Sequence, residues 1–167
     1  MTKRVALVTG AMGGLGTAIC QELAKAGHKV VASYHPQFDN KDEWLKEMAA
    51  AGFKDFVCVA GDVSSLEDCQ KMVAAAEANA GPVDILVCNA GLRRQTPFLQ
   101  MSLAEWREIL SVALDGAFIL ARAVARQRAV GQRQRPDVGN AAAARFFSPP
   151  SHHESAQLRR YVLSKQK

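Results

Sequence analysis

The residues whose types and spacing best suit a chemical task form a glycine-rich segment, residues 9–16, which reads TGAMGGLG. Gly10 permits a tight turn, Gly14 lets the backbone come close to a pyrophosphate, and Gly16 lets a helix pack near a strand. The N–H groups at the start of such a helix carry a partial positive charge and attract phosphate oxygens. The segment therefore predicts a nucleotide-phosphate site, whose other members are Thr9, Met12 and Leu15.

The elements around this segment give it the context that phosphate binding requires, because it follows a strand and opens a helix. Apolar runs rich in β-branched residues predict strands at residues 4–10, 29–34, 55–63 and 83–91. Helical periodicity and capping signals predict helices at residues 14–27, 42–52, 65–81 and 102–129. Alternating strands and helices with short links indicate a parallel sheet covered on both faces, the doubly wound Rossmann-type α/β fold.

The composition indicates one folded domain with reduced thiols. The chain has 167 residues, 49% of them hydrophobic, which is enough for a core and argues against disorder throughout. No apolar run is long enough to span a membrane, and the N-terminal segment is not a secretory signal, because its short apolar stretch runs into glycines. The cysteines lack metal-site spacing, so we expect core thiols in a cytoplasmic protein. No metal site is expected at His152, His153 and Glu154 either. Adjacent histidines point in different directions on a regular element, and the spacing places no third ligand beside them.

The formal net charge of +5 is distributed unevenly along the chain. Residues 1–121 sum to −3, whereas residues 122–167 sum to +8 and hold eight arginines. A basic tail attracts phosphates in general, so a basic-tailed nucleic-acid binder is one alternative function. Aromatic residues that could stack on bases do not interleave the first five arginines, and we therefore expect no specific nucleic-acid recognition.

Two further motifs, together with the glycine spacing, resemble the short-chain dehydrogenase/reductases. The segment GDV places Asp62 and Val63 after the third predicted strand, where the family has an acid beside the adenine. The segment CNAG is similar to the family's N-N-A-G turn, with Cys88 in place of the first asparagine, followed by Asn89, Ala90 and Gly91. Over residues 1–121 the sequence is most similar to the acetoacetyl-CoA reductases, and it also resembles the 3-oxoacyl-acyl-carrier-protein reductases.

The resemblance implies a nicotinamide dinucleotide, and the second predicted strand bears on which one. A site for NAD usually has an acid about twenty residues past the first glycine, which hydrogen-bonds the ribose 2′-hydroxyl. Here the strand ends VVASYHPQF, with no acid before Asp39. Nothing there repels a 2′-phosphate, which Ser33, Tyr34 and His35 could meet. We expect NADPH in preference to NADH, while His35 is equally well explained as a plain surface residue.

The resemblance also assigns roles to residues near the C-terminus. In the family a tyrosine protonates the substrate carbonyl as hydride arrives, and a lysine one helical turn on lowers its pKa and holds the cofactor ribose. Tyr161 and Lys165 match this pair. Ser148, thirteen residues before the tyrosine, matches the serine that polarises the carbonyl, and Ser151 is a second candidate for it.

Departures from the family pattern bear on activity. The asparagine of the family's proton relay aligns with Ala113. Residues 130–150, where a β-branched strand should precede the serine, contain only Val130 and Val138 as β-branched residues. A shifted reading frame from about residue 125 and a divergent segment both explain that composition. We expect a nucleotide-binding domain at residues 1–121 and a divergent basic tail at residues 122–167, truncated relative to the family.

The predicted function is NADPH-dependent reduction of a 3-oxoacyl thioester to its 3-hydroxyacyl form, impaired in this chain by the truncation. The alternative is a catalytically inactive, nucleotide-binding product of the same family. The partner implied is a small-molecule acyl thioester, with no membrane and no specific nucleic acid. The family's homo-oligomer is doubtful for a truncated chain.

Overall fold

A four-stranded parallel sheet forms the centre of the computed structural model, which describes residues 3–38 and 40–133. The strands lie in the order β3-β2-β1-β4, and β1 pairs with a strand on each side. Leu7 of β1, for example, pairs with Val31 of β2 and Leu86 of β4. The strands are β1 Val5–Val8, β2 Lys29–Tyr34, β3 Phe56–Ala60 and β4 Val83–Val87. The predicted parallel α/β fold is confirmed.

Five α-helices accompany the sheet in the described residues. They are α1 Gly14–Lys25, α2 Lys41–Ala50, α3 Leu66–Ala80, α4 Leu103–Leu110 and α5 Gly116–Arg133. Their N-termini follow the predicted signals, because the Ser65 hydroxyl accepts from the Asp68 N–H at α3, and Ser102 forms a capping box with Glu105 at α4. None of the described helices is both long and apolar enough to cross a bilayer.

The two faces of the sheet bury separate core clusters, because successive strand residues point to opposite faces. On one face Leu7 and Val31 pack with residues of α3 and α5, including Met72, Val73 and Leu120. On the other face Val8, Val30 and Ala32 pack with residues of α1 and α2, namely Cys20, Trp44 and Met48. Both faces are therefore covered, as the doubly wound arrangement requires.

The fourth helix was predicted as one continuous element, residues 102–129, and that prediction is wrong in detail. A π-helical turn, Ser111–Asp115, separates α4 from α5. The Ser111 hydroxyl donates to the Glu108 carbonyl (2.8 Å), a local bond that competes with the helical ladder. Just after the turn, a Cβ on Gly116 would lie 3.0 Å from the Val63 carbonyl oxygen, so α5 approaches the loop after β3 closely.

The order of the strands determines where a ligand can bind. From β1 the chain moves outward to β2 and β3 in one direction and to β4 in the other. Residues Met1–Arg128 form one compact unit that contains this whole sheet. In open parallel sheets, ligands bind beyond the carboxyl ends of the strands where the order reverses, which here is between β1 and β4.

Candidate nucleotide-binding site

The glycine-rich segment makes the turn from β1 into α1, and two of its glycines are required by the fold itself. Gly10 has φ +59°, and a Cβ there would lie 3.0 Å from the Ala90 Cα. A Cβ on Gly16 would clash with the Gly10 carbonyl oxygen and lie 2.8 Å from the Ala11 Cα. Gly10 therefore allows the loops after β1 and β4 to touch, and Gly16 allows α1 to pack against the turn, as its predicted role required.

Gly14 differs from these two, because a Cβ at this position would meet nothing within 4 Å and its φ is not positive. The protein's own atoms therefore leave open space where a side chain would stand. A pyrophosphate close to the backbone explains a glycine here, whereas packing within the chain does not. Leu15 beside it is 71% exposed, and Met12 is half-buried against the core cluster of α1 and α2.

The N-terminus of α1 has neither a capping side chain nor an acidic residue in its first turn, whereas α3 and α4 have both. Its N-cap is Gly13, which offers no side-chain cap, and the first turn contains no acidic residue. Carboxylates stand in the first turns of α2, α3 and α4. The first backbone bond of α1 runs from the Thr17 N–H to the Gly13 carbonyl (2.8 Å), which leaves the preceding N–H groups without helical acceptors. Phosphate oxygens are the acceptors that suit these groups.

Thr9, which is only 1% exposed, joins the end of β1 to the end of β4. Its hydroxyl accepts hydrogen bonds from the N–H groups of Asn89 and Ala90 (3.0 Å each) and donates to the Val87 carbonyl (3.3 Å). The Asn89 side-chain amide donates back to the carbonyls of Thr9 (2.9 Å) and Gly10 (3.0 Å). The CNAG segment is thus fixed against the glycine-rich turn, and exposed Gly91 follows directly.

The end of β2 presents the three residues considered for the 2′-phosphate in different ways. Ser33 is 2% exposed, and its carbonyl accepts the Ala11 N–H (3.0 Å), so it supports the glycine-rich turn from beneath. Tyr34 is half-buried, and the His35 side chain is 35% exposed. A ligand can therefore reach His35 and part of Tyr34 more readily than the Ser33 hydroxyl.

Asp62 lies opposite His35, with 3.8 Å between Asp62 Oδ2 and His35 Nε2. The Ser64 hydroxyl (2.7 Å) and N–H (2.8 Å) both donate to Asp62 Oδ1. Partial burial raises the pKa of Asp62, but the bonds from Ser64 and the neighbouring His35 outweigh it, so the pKa lies below its usual value. The carboxylate is therefore ionised at neutral pH, and adjacent Val63 is buried against the first turn of α5.

Some predicted site residues lie outside this geometry. Tyr161, Lys165, Ser148 and the alternative Ser151 fall outside the described residues, so their roles remain predictions. Ala113 lies exposed in the π-helical turn. Within residues 3–38 and 40–133, no group of three or more His, Cys, Asp or Glu side chains comes together as a metal site.

Sequence reasoning missed two contributors to the site, Gly13 and Ser64. The cap of α3 is Ser65, whereas Ser64 holds Asp62 through its N–H and its hydroxyl. The signal for it was the order Asp-x-Ser, in which an aspartate accepts from the N–H two residues on. The signal for Gly13 was the absence of any capping side chain before α1.

Comparison with known proteins confirms the resemblance. The family model described as short chain dehydrogenase matches residues 4–137. Nodulation protein G of Azospirillum brasilense is 48% identical over 129 residues, 77% of this chain and 52% of that protein. Acetoacetyl-CoA reductase of Cupriavidus necator is 39% identical over 124 residues, 74% of this chain and 50% of that protein.

Solved structures agree with the sequence matches. A short chain dehydrogenase from Mycobacterium smegmatis superposes with a TM-score of 0.67 at 34% identity, over 75% of this chain and 52% of that one. The chain spans about half the length of the curated relatives it matches. With its glycine-rich turn, its strand order and the matched family model, this chain belongs to the short-chain dehydrogenase family.

Proposed function

We propose that this chain binds NADPH along the carboxyl edge of β2, β1 and β4. The observation that carries the proposal is the unfilled N-terminus of α1, where Gly14 leaves open space and no capping or acidic side chain occupies the first turn. A dinucleotide diphosphate supplies both the negative charge and the acceptors that this turn lacks. The hydrogen bonds between Thr9 and Asn89 support the proposal, because they keep the loop after β4 beside the glycine-rich turn.

The parts of the nucleotide are assigned to residues along this edge. The N–H groups of Gly14, Leu15 and Gly16 would hold the pyrophosphate. The segment after β3, with Asp62 and Val63, would border the adenosine, and Asn89, Ala90 and Gly91 would border the nicotinamide half. When bound, the cofactor supplies a hydride; this chain's own contribution in the described residues is to bind and orient the nucleotide.

NADPH rather than NADH is proposed because no carboxylate follows directly at the end of β2. Tyr34 and His35 follow the buried Ser33 in the chain. The His35 ring is partly exposed and lies beside Asp62. The N–H of Gln37 donates to His35 Nδ1 (3.2 Å), which directs the other ring nitrogen toward Asp62. Nε2 is then the donor nitrogen of this ring, and a 2′-phosphate that reaches it would share its N–H with Asp62.

The proposed substrate class is a 3-oxoacyl thioester, reduced to the 3-hydroxyacyl form in the cytoplasm. Two relatives, from Cupriavidus necator and Allochromatium vinosum, are named acetoacetyl-CoA reductase, and they are 39% and 43% identical over the matched region. Tyr161 is proposed as the acid, Lys165 as its electrostatic partner and Ser148 as the carbonyl donor. Homo-oligomer formation is proposed only by analogy with the family.

A second candidate function is nucleotide binding without catalysis. The observation that favours it is Ala113, which is exposed in the π-helical turn and has no group to relay a proton. The two candidates share the NADPH site and differ only in turnover. Binding and turnover are therefore measured separately.

Calorimetric titration with NADPH and with NADH tests the binding proposal. We expect NADPH to bind more tightly than NADH, and Gly14→Val to weaken NADPH binding by about tenfold or more, because the added side chain enters the phosphate space. The matched control is Ala18→Val, an exposed position one turn along α1, which should bind normally. Equal affinity of wild type and Gly14→Val would contradict the site, and a clear preference for NADH would contradict the cofactor.

A further inference from the structure

A second cleft lies at the opposite edge of the sheet, at the amino ends of the strands. It has a volume of about 240 Å³ and is lined by the residues just before β1, at the start of β2 and just before β3. The basic residues in its lining are Lys3, His28, Lys29 and Lys54, and its one acidic residue is Asp55. The glycine-rich turn is not part of its lining, so the nucleotide site does not account for it.

The lysines of this cleft are not neutralised by the rest of the described chain. None of Lys3, Lys29 and Lys54 forms an ion pair there, whereas Lys25 and Lys71 pair with Glu22 and Glu67. Lys29 Nζ instead donates to an uncharged acceptor, the Asn79 carbonyl (2.8 Å). Residues 1–121 carry a net charge of −3, whereas the lining of this cleft has an excess of positive charge.

The backbone holds this cleft in a fixed form. Both α1 and α2 end in the same left-handed glycine turn, with φ +83° at Gly27 and +91° at Gly52. In the first turn the His28 N–H donates to the Leu23 carbonyl (3.1 Å), and in the second the Phe53 N–H donates to the Met48 carbonyl (2.9 Å). The segments that carry His28 and Lys54 into the cleft are therefore ordered by hydrogen bonds rather than by the lysines.

One polar atom of a residue that lines the cleft has no partner. The Nδ1 atom of His28 is buried and has no hydrogen-bond partner in the described part of the chain. Buried polar atoms are almost always paired, since an unpaired one is costly. In its Nδ1–H tautomer the ring would donate to a phosphate oxygen that displaced the side-chain atoms now covering Nδ1.

We propose that this cleft binds the phosphate group of a small phosphorylated metabolite, at a site separate from the nucleotide. Lys3, Lys29 and Lys54 supply the positive charge, and His28 supplies the buried donor. The volume exceeds the roughly 30 Å³ that one water occupies by enough to admit an organic group beyond the phosphate. The rings of Phe53 and Phe56, which also line the cleft, give that group an apolar surface.

The test follows backbone amide resonances of the full chain during titration with inorganic phosphate and, separately, with ribose 5-phosphate. We expect saturable shifts at the amides of His28, Gly52 and Lys54, distinct from any shifts at residues 10–16. Ribose 5-phosphate should bind more tightly than inorganic phosphate because the cavity has room beyond one phosphate. Equal or weaker binding of the sugar phosphate would overturn the assignment to an organic phosphate.

Paired charge variants make the test specific to the cleft. Lys3→Gln with Lys54→Gln should weaken binding at the cleft by about fivefold or more, and neither side chain holds a hydrogen bond within the described chain. The matched control, Lys46→Gln with Lys71→Gln, removes the same charge from exposed helix positions and should leave the affinity unchanged. Shifts confined to residues 10–16, an absence of saturation, or an equal loss in the control would overturn the proposal. Thermal unfolding of each variant without phosphate confirms that it is folded.

Discussion

Thr9 and Asn89, eighty residues apart in the chain, hold each other in place by reciprocal hydrogen bonds. The Thr9 hydroxyl accepts the Asn89 N–H (3.0 Å), and the Asn89 side-chain amide donates to the Thr9 carbonyl (2.9 Å). The hydroxyl also accepts from Ala90 and donates to Val87, so every bond that a hydroxyl can make is used. This pair is the means by which two motifs that are distant in the chain are held together at one edge of the sheet.

Replacing Thr9 with valine should therefore destabilise the protein strongly. Valine keeps the shape but leaves the Ala90 N–H without an acceptor and the Asn89 N–H with only the Val87 carbonyl (3.1 Å), and it removes the donor to that carbonyl. We expect the free energy of unfolding to fall by roughly 2–4 kcal/mol, measured by urea denaturation. Thr9→Ser keeps the hydroxyl and should lose much less.

The control for this pair is Thr96→Val, which removes a single bond to the Glu105 carboxylate. Its cost should be below about 1.5 kcal/mol, because only one hydrogen bond is lost. Similar losses for Thr9→Val and Thr96→Val would show that the Thr9 network adds nothing beyond one ordinary hydrogen bond.

Two glycines of one turn should respond to alanine in opposite ways. Gly16→Ala forces a methyl group against the backbone of Gly10 and Ala11, and should lower the free energy of unfolding by about 2–3 kcal/mol. Gly14→Ala places a methyl group in open space within a helix and should leave stability unchanged or raise it by up to about 1 kcal/mol, while weakening NADPH binding.

Denaturation and nucleotide titration of the same two variants separate these effects. If Gly14→Ala destabilised the protein as much as Gly16→Ala, Gly14 would have a structural role and its open surroundings would have been misinterpreted. If Gly14→Ala bound NADPH as wild type does, the phosphate would not lie over this residue.

Sequence patterns predicted the sheet and the glycine-rich turn because both are encoded locally. The β2 strand was placed at residues 29–34 as observed, since a short apolar run that begins just after Gly27 and ends before Pro36 leaves few alternatives. The roles of Gly10 and Gly16 followed from their spacing after a strand. Pairing of Thr9 with Asn89 was not predicted, because a contact across eighty residues depends on which strands become neighbours.

The other features that the sequence did not predict also depend on contacts between distant segments of the chain. Ser33 is buried where its carbonyl accepts the Ala11 N–H of the glycine-rich turn, and Gly116 approaches Val63 from a segment far along the chain. The basic cleft gathers Lys3, His28 and Lys54 from three separate segments, each of which is an ordinary surface residue in the sequence. Local periodicity contains no information about which distant segments of the chain come into contact.

Asp62 should contribute stability only while it is ionised. Its folded pKa lies below the unfolded value of about 3.9, so the contribution is fully present above that value and is lost as pH falls through the folded pKa. Asp62→Asn should therefore be less stable than wild type at pH 7, by about 1 kcal/mol, and this difference should shrink as the pH falls through the folded pKa. Urea denaturation at a series of pH values measures it.

Asp115→Asn is the matched control, because Asp115 is exposed and its side chain forms no hydrogen bond in the described part of the chain. Its stability difference from wild type should be small at neutral pH. A difference for Asp62→Asn that stayed constant over the whole acid series would mean that the carboxylate charge does not stabilise the fold.

Catalytic turnover should be far weaker than nucleotide binding. The aligned position of the family's relay asparagine is Ala113, an exposed residue that cannot carry a proton, and the sequence before Ser148 lacks a β-branched strand to position that serine. Loss of one catalytic group commonly costs on the order of 3 kcal/mol in the barrier, a factor of hundreds in rate. We therefore expect acetoacetyl-CoA reduction with NADPH, followed by nicotinamide absorbance, to remain barely above background, and Tyr161→Phe to change it little. Calorimetry on the same preparation should still detect NADPH, which separates a failure of chemistry from a failure to bind. A robust wild-type rate that Tyr161→Phe abolishes would instead establish Tyr161 as a working acid and Ala113 as no obstacle.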